Sequence, residues 1–213
     1  MLKTVRLVFS KTGRAKYVSH LDLVRTMTRA VRRAEIPLWY TEGFNRHPYL
    51  TFAAPLSLGF ESVAETMDIR LEEDMDYADL VARLNAVLPE GLQVLSAAEA
   101  VAKAGVLSAA TYRLTLDCPA ETVQAALAAP ELLVEKKTKK KTMKTIDILP
   151  HFASATVETG ETGAVMTVSL PCSSAETVNP SLFLTALNAF TGHEWTMQVL
   201  RLGLFQADGT PFA

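Results

Sequence analysis

The sequence predicts an α+β fold of two tandem ferredoxin-like halves, each with the element order β-α-β-β-α-β and a mainly antiparallel sheet. Segments in which apolar and polar residues alternate, the pattern of half-buried strands, recur in both halves. Each half also holds two segments with apolar residues at spacings of three and four, as in helices that bury one face. The alanine-rich, weakly patterned segment Ala97–Ala110 separates the halves. We therefore predict domains at residues 1–100 and 108–213, with a single larger mixed sheet as the alternative.

The first half begins with a strand at Thr4–Ser10, whose flanking charges fall where a signal peptide would need an apolar run. Ser19, followed three positions later by Asp22, predicts a capped helix start. The apolar stripe of this helix consists of Val24, Met27, Val31 and Ala34. The other predicted elements are a short strand at Ile36–Tyr40, a shaped loop over Gly43–Pro55, a strand at Thr66–Leu71, a helix at Tyr77–Leu88 and a strand at Leu92–Leu95.

The second half is predicted to repeat this element order with one additional hairpin. Asn179 and Pro180 fit the N-cap and first turn of its second helix, and Gly192 fits the end of that helix. The other predicted elements are a strand at Thr111–Leu116, a helix at Ala120–Ala128, a hairpin from Leu132 to Ile148, a strand at Ala164–Leu170 and a strand at Trp195–Leu202. Each β-α-β crossover is expected to be right-handed, which places both helices on one face of the sheet.

Positive charge is concentrated locally, although the formal net charge is only −2. Residues 1–50 hold ten basic residues against three acidic ones, whereas residues 51–135 hold fourteen acidic residues against four basic ones. We predict a phosphate-binding surface formed by Arg14, Lys16, Tyr17, Arg25, Arg29, Arg32 and Arg33. The alternatives are a solvated helix face and a contact with the acidic middle of the chain.

A second basic segment lies in the second half of the chain. It consists of Lys136, Lys137, Lys139, Lys140, Lys141 and Lys144. Such a run is unsuited to a buried strand and predicts a mobile hairpin that binds RNA phosphates. The alternative is a loop that serves solubility alone.

The segment from Gly43 to Pro48 predicts a shaped loop in which Phe44 is the anchor and Asn45 braces the backbone. In that loop Arg46 and His47 are placed to face a phosphate or another anionic group. The alternative is a structural turn that orders the strand after it.

No catalytic constellation is recognisable, because the sequence lacks the GxSxG, HExxH, Walker A and dinucleotide-binding patterns. His20 and His47 are candidates for acid–base chemistry such as RNA strand cleavage, and a role other than catalysis is favoured. Cys118 and Cys172 stand far apart without companions, which fits reduced thiols in the cytoplasm rather than a zinc or iron–sulfur site. We expect no metal, no cofactor and no membrane span, since no apolar run approaches the roughly 20 residues that a span needs.

Four segments together carry a resemblance to a known family. They are Tyr17–Leu23, Arg29–Ala34, Glu42–Asn45 and Leu56–Ser62. These segments resemble the radical SAM-linked protein family, whose members are domains of unknown function fused to, or encoded beside, radical SAM proteins. The resemblance is specific over residues 3–71 and looser beyond them. The chain departs from the family at Arg46, where proline is usual after the asparagine.

The resemblance implies an accessory role beside a radical SAM protein, with the cluster chemistry in that partner. It also implies an RNA context, because genes of this family often lie beside RNA-processing and ribosomal genes. Our hypothesis is therefore a non-catalytic cytoplasmic module that binds RNA through its basic surface. The alternatives are a protein-docking adaptor for the radical SAM partner without RNA binding, and a metal-free acid–base enzyme acting on RNA.

Overall fold

The structure, a computed structural model, describes residues 2–44, 46–137 and 143–212. Within these residues it contains five α-helices and ten β-strands, and the six strand pairs with a defined register are antiparallel. The α+β class that the sequence predicts is thereby confirmed. The chain divides into two compact units, of which unit 1 comprises Met1–Ser108 with Arg201–Ala213 and unit 2 comprises Ala109–Leu200.

The helices and strands have definite bounds in the described part of the chain. The helices are α1 (His20–Arg33), α2 (Tyr77–Asn85), α3 (Ala120–Leu127), α4 (Leu149–Phe152) and α5 (Ser181–Thr191). The strands are β1 (Lys3–Lys11), β2 (Leu50–Phe52), β3 (Glu61–Leu71), β4 (Leu92–Glu99), β5 (Leu107–Leu116), β6 (Leu133–Lys137), β7 (Met143–Asp147), β8 (Thr156–Thr159), β9 (Ala164–Pro171) and β10 (Met197–Gln206). None of the helices described here combines the length and the apolar character that crossing a bilayer requires.

The sheet of unit 1 has the order β4-β1-β3. Strand β2 pairs with β3, and the end of β10 also lies beside β3. Alternation in β1 sends Val5, Leu7 and Phe9 into the core, and the register places Val5 opposite Ile69 and Leu7 opposite Met67. The buried faces of α1 and α2 cover this apolar layer. The predicted strand at 36–40 is reduced to isolated bridges, because Pro37 has no N–H to continue a ladder.

The sheet of unit 2 has the order β5-β9-β8, with the beginning of β10 beside β5. Val123 of α3 and Phe183 of α5 are fully buried in this unit, and the ring of Phe183 lies 5.0 Å from that of Phe152. Helix α5 ends at Gly192, which adopts φ 66° as a left-handed cap, as the sequence predicts. The strands β6 and β7 form a separate antiparallel hairpin.

Unit 1 buries several charged side chains in addition to its apolar layer. Arg201 donates to Glu65 Oε1 at 2.8 Å and to the Ala54 carbonyl at 2.9 Å. Lys11, which is 1% exposed, donates to the Lys16 carbonyl at 3.3 Å. Because Lys11 and Arg201 are internal, they do not belong to the basic surface of the molecule.

Burial lowers the pKa of the Lys11 ammonium, and the charge of Glu65 opposes that shift only in part. Since the unfolded chain then binds more protons than the folded one at alkaline pH, Lys11 makes stability rise as the pH approaches 10.5 from below. We expect the difference in unfolding free energy between the wild type and Lys11→Met to show this rise in urea titrations between pH 7 and 10.5. A difference that is flat with pH would contradict the lowered pKa.

Candidate nucleic-acid interface

Helix α1 presents the arginines that the sequence singled out. Ser19 caps the helix by accepting from the Asp22 N–H at 3.2 Å, as predicted. The apolar face is buried through Leu23, Met27 and Val31, so the opposite face is left to solvent. All four arginines of the helix lie on the exposed side, and their positions are Arg25, Arg29, Arg32 and Arg33.

Two of the predicted cations are paired with carboxylates of the same chain. Arg25 contacts Asp22 at 3.0 Å, and this contact adds to the Ser19 hydroxyl in lowering the pKa of Asp22. Lys16 Nζ lies 3.6 Å from Glu61, which also accepts from the Gly13 N–H. Surface pairs of this kind are worth about 0–1 kcal/mol, but they reduce the charge that an external anion would meet.

The remaining exposed arginines have no such neutralisation. Among the described residues, no carboxylate lies within 4.0 Å of the guanidinium groups of Arg14, Arg29, Arg32, Arg33 and Arg46. Two of them, Arg32 and Arg33, occupy the last turn of α1, where cations also stabilise the helix through its dipole. Three of these five arginines, Arg29, Arg32 and Arg33, therefore lie in the C-terminal half of α1.

Arg29 and Arg33 line one side of a groove in unit 1 with a volume of about 270 Å³. They stand one helical turn apart and therefore on the same face. Thr26 and Ala30 form the helix side of the groove, and Val87 and Pro89 form the other wall. Two guanidinium groups in a groove with an apolar wall suit a phosphate whose sugar or base lies against that wall.

Arg32 does not line this groove. Its guanidinium carbon lies 5.8 Å from the centre of the Tyr40 ring. The stripe of four arginines that the sequence predicts is therefore divided into a paired residue, a two-arginine groove and a residue stacked on an aromatic ring.

An aromatic cluster near this helix was missed by sequence reasoning. The guanidinium carbon of Arg70 lies 4.9 Å from the ring centre of Trp39 and 4.5 Å from that of Tyr49. All three side chains are partly exposed, and arginines flanked by aromatic rings are common where bases stack. Trp39 and Tyr49 are brought together by the Tyr49 N–H, which donates to the Trp39 carbonyl at 3.2 Å. In the sequence, only the alternation of apolar and polar residues around Arg70 bears on this cluster, because it places Arg70 on the polar face of a strand.

The loop from Thr41 to His47 is closed by reciprocal hydrogen bonds. The Thr41 N–H donates to the His47 carbonyl at 2.9 Å, and the His47 N–H donates to Thr41 Oγ1 at 3.2 Å. The His47 ring also contacts Thr41 Oγ1 through Nδ1 at 3.1 Å. Phe44 is fully exposed rather than an anchor, because Gly43 at φ 109° turns the chain away from the core. Arg46 is exposed, and Asn45 lies outside the described residues.

His20 lies on the exposed side of the first turn of α1. Its ring contacts that of Phe52 edge to face at 5.4 Å, while the nearby Asp22 hydrogen-bonds to Ser19 and Arg25. The structure thus gives His20 an aromatic neighbour, while Asp22 forms its side-chain hydrogen bonds with Ser19 and Arg25.

The basic segment of unit 2 is a hairpin in which β6 and β7 pair with Lys136 opposite Lys144. Lys144 is exposed on β7. Lys139, Lys140 and Lys141 lie outside the described residues, as do the side chains of Lys136 and Lys137.

Comparison with known proteins places most of the chain in a family. Residues 4–180 match the family model described as "Uncharacterized protein conserved in bacteria (DUF2344)". No curated protein matches the chain.

Proposed function

The chain belongs to this uncharacterized bacterial family, and we propose that it is a non-catalytic accessory module that binds RNA beside a radical SAM protein in the cytoplasm. The observation that carries the RNA assignment is the groove of Arg29 and Arg33, whose guanidinium groups have no carboxylate within salt-bridge distance in the described chain. Phosphate neutralisation supplies most sequence-independent affinity for nucleic acid. The rings of Trp39 and Tyr49, whose centres lie 6.3 Å apart at an interplanar angle of 58°, are partly exposed and would offer stacking surfaces to unpaired bases.

The strand order supports the finer fold assignment that belongs to this proposal. In unit 1, β4-β1-β3 with β2 on β3 is the order that a ferredoxin-like β-α-β-β-α-β unit would have. In unit 2, β5-β9-β8 with β10 beside β5 follows the same scheme once the β6–β7 hairpin is set aside. We accordingly describe the chain as tandem ferredoxin-like units, a scaffold whose sheets and loops commonly present single-stranded RNA to aromatic side chains.

The association with a radical SAM protein rests on the resemblance, and the structure adds an argument about where such a partner would dock. One of the segments that carry the resemblance, Leu56–Ser62, contacts the residue just before another, since the Gly59 N–H donates to the Lys16 carbonyl at 2.9 Å. Beside this contact, Tyr17 and Leu58 are exposed by 68% and 63%. Exposed apolar side chains next to basic ones favour a protein-docking adaptor as the second candidate function.

Replacing Arg29 and Arg33 together by glutamine is expected to weaken binding of single-stranded RNA roughly 25-fold at 0.1 M salt. Each phosphate contact contributes about −0.7 to the slope of log K against log salt concentration, so the loss of two contacts flattens the slope by about 1.4. Fluorescence anisotropy with a labelled oligonucleotide, repeated across a salt series, measures both quantities.

The matched control is the pair Arg113→Gln and Lys103→Gln, which removes the same charge from two exposed positions that do not belong to α1. The control is expected to keep most of the affinity and of the slope. Equal losses in the two double variants would assign the effect to net charge and refute the groove. Unchanged RNA binding in Arg29→Gln/Arg33→Gln would favour the docking adaptor.

A further inference from the structure

Unit 2 contains a cavity of about 520 Å³ next to the lysine hairpin, and nothing in the preceding site uses it. This volume falls within the range of about 300–1,000 Å³ typical of small-molecule sites. One part of its lining is aliphatic and consists of Ile146, Ile148, Val178 and Leu182. Flat walls of this kind accept an aromatic ring by stacking and exclude water from its faces.

The polar part of the lining is formed by Asp147, His151 and Glu176. Asp147 is already engaged, because its Oδ1 accepts from the N–H groups of Leu132 at 2.9 Å and Leu149 at 3.0 Å. These two bonds lower the pKa of Asp147, which therefore stays anionic as a structural acceptor. His151 Nε2 lies 3.9 Å from Glu176 Oε1, beyond ordinary hydrogen-bond length. Glu176 accordingly retains acceptor capacity toward a ligand.

The turn that carries Glu176 is ordered before any ligand arrives. The Ser173 N–H donates to the Glu176 carbonyl at 2.8 Å, and the Glu176 N–H donates to Ser173 Oγ at 3.0 Å. The Thr177 hydroxyl donates to the Ser173 carbonyl at 2.9 Å. Because these bonds fix the backbone at Glu176, little backbone freedom is lost when its side chain binds a ligand, which favours affinity.

The lining of the cavity and the surface beside it differ in charge. No lysine or arginine occurs among the described residues that line it, so an anionic group is disfavoured inside. Lys144 precedes Ile146 by two positions and therefore lies on the same face of β7, about 7 Å back along the strand. Its exposed ammonium places positive charge outside the cavity. A ligand that fits has a flat, neutral, hydrogen-bond-donating part and an anionic part beyond it.

We propose that this cavity binds one nucleotide of single-stranded RNA, with the base between the aliphatic walls, its donor edge on Glu176 and its phosphate toward Lys144. Guanine is the preferred base, because its N1–H and N2 amino group are adjacent donors that match the two oxygens of one carboxylate. Cytosine and adenine offer an amino group beside an acceptor, and uracil offers a single N–H between two carbonyls. The inference rests on the RNA-binding function proposed above and adds a base-selective site to it.

The test is titration of the full chain with GMP, CMP, AMP and UMP, followed through the imidazole NMR signals of His151. Those signals are assigned by their loss in His151→Gln. We expect saturable shifts with GMP and an affinity for UMP at least tenfold weaker. Glu176→Gln is expected to remove this tenfold preference, whereas Glu158→Gln, an exposed carboxylate of β8 in the same unit, is expected to leave it intact.

Two further comparisons test where the phosphate binds and whether the ligand occupies the cavity. Wild-type protein is expected to bind GMP more tightly than guanosine, and Lys144→Gln is expected to abolish that difference. Leu182→Trp, which fills the cavity from α5, is expected to remove GMP binding while its circular dichroism stays that of the folded chain. If Leu182→Trp unfolds the chain, the proposal is tested by comparing the preference for GMP over UMP in Glu176→Gln and Glu158→Gln.

The proposal is overturned if GMP gives no saturable shift at His151, or if Glu176→Gln and Glu158→Gln behave alike. Saturable binding of N-acetyl-lysine amide in place of GMP would assign the cavity to a peptide and also overturn it. These readings are independent of α1. If GMP binds but RNA affinity does not depend on Arg29 and Arg33, only the RNA-binding function proposed for α1 is refuted. If RNA affinity depends on Arg29 and Arg33 but GMP does not bind, only the cavity proposal is refuted.

Discussion

Replacing Arg201 by leucine is expected to lower the free energy of unfolding of the chain by about 3–5 kcal/mol, the usual cost of breaking a buried ion pair by removing one partner. Arg201 and Glu65 are each 3% exposed, and Arg201 Nη1 lies 2.8 Å from Glu65 Oε1. Without the guanidinium, Glu65 remains a buried carboxylate, although its charge also interacts with the Lys11 ammonium, whose pKa it raises. The Ala54 carbonyl would also lose its donor. Both losses leave buried acceptors unsatisfied, which costs more than the missing contact alone.

Urea denaturation followed by circular dichroism measures this effect. Arg113→Leu is the matched control, because Arg113 is exposed on β5 and should change stability by less than about 0.5 kcal/mol. The double variant Glu65→Leu/Arg201→Leu is expected to recover much of the loss, since it removes both charges together. A double variant that is less stable than Arg201→Leu would show that Glu65 has partners sufficient to hold its charge without Arg201.

The local elements of the fold were predictable from the sequence because their causes are local. Alternation in Thr4–Ser10 predicts β1, which the structure extends by one residue at each end. The Ser19 hydroxyl and the glycine at 192 mark helix ends through hydrogen bonding and backbone freedom within a few residues. Ile36–Tyr40 misled the prediction, since its β-prone side chains are offset by a proline that removes a ladder hydrogen bond.

The buried charges could not be predicted, because their partners are distant in the sequence. Arg6 is paired with Asp68 across 62 positions, and Arg201 with Glu65 across 136. Counting Arg6 and Lys11 among the basic residues of the first half therefore overstates its surface charge. The same reason explains why the Trp39, Tyr49 and Arg70 cluster was missed, since the register of β3 against its neighbours assembles it.

The sequence indicates that α1 carries a basic surface, but it does not indicate which neighbours its arginines contact. Helical spacing places Arg29 and Arg33 on one face, which the structure shows. Spacing does not show which arginine meets a carboxylate or a ring, because the answer depends on the rotamers and on residues such as Glu61 and Tyr40. The cavity of unit 2 has even less local signal, since the segments around Ile146 and Glu176 come together only in the fold.

Phe212 is expected to be worth about 3–5 kcal/mol to the folded state, so that Phe212→Ala lowers the free energy of unfolding by that amount. Its ring is 3% exposed and covers the guanidinium of Arg6, whose carbon lies 3.9 Å from the ring centre. Arg6 holds Asp68 through two bonds of 2.8 and 2.9 Å, while its Nη1 has no hydrogen-bond partner in the described chain. The ring face therefore supplies the attraction that a hydrogen-bond acceptor would otherwise give.

Three variants separate the apolar and cationic parts of this effect. Phe212→Leu retains most of the buried area and should lower the free energy of unfolding by about 1–2 kcal/mol. This cost comes from losing the desolvated cation–π contact and from the altered side-chain shape. In Arg6→Met, the additional cost of Phe212→Leu is expected to fall, because the cation is gone and only the shape remains. Phe190→Ala, at a half-exposed phenylalanine of α5, should cost less than about 1 kcal/mol. If Phe212→Leu costs the same with and without Arg6, the ring stabilises unit 1 by apolar burial alone and the cation–π contact contributes nothing.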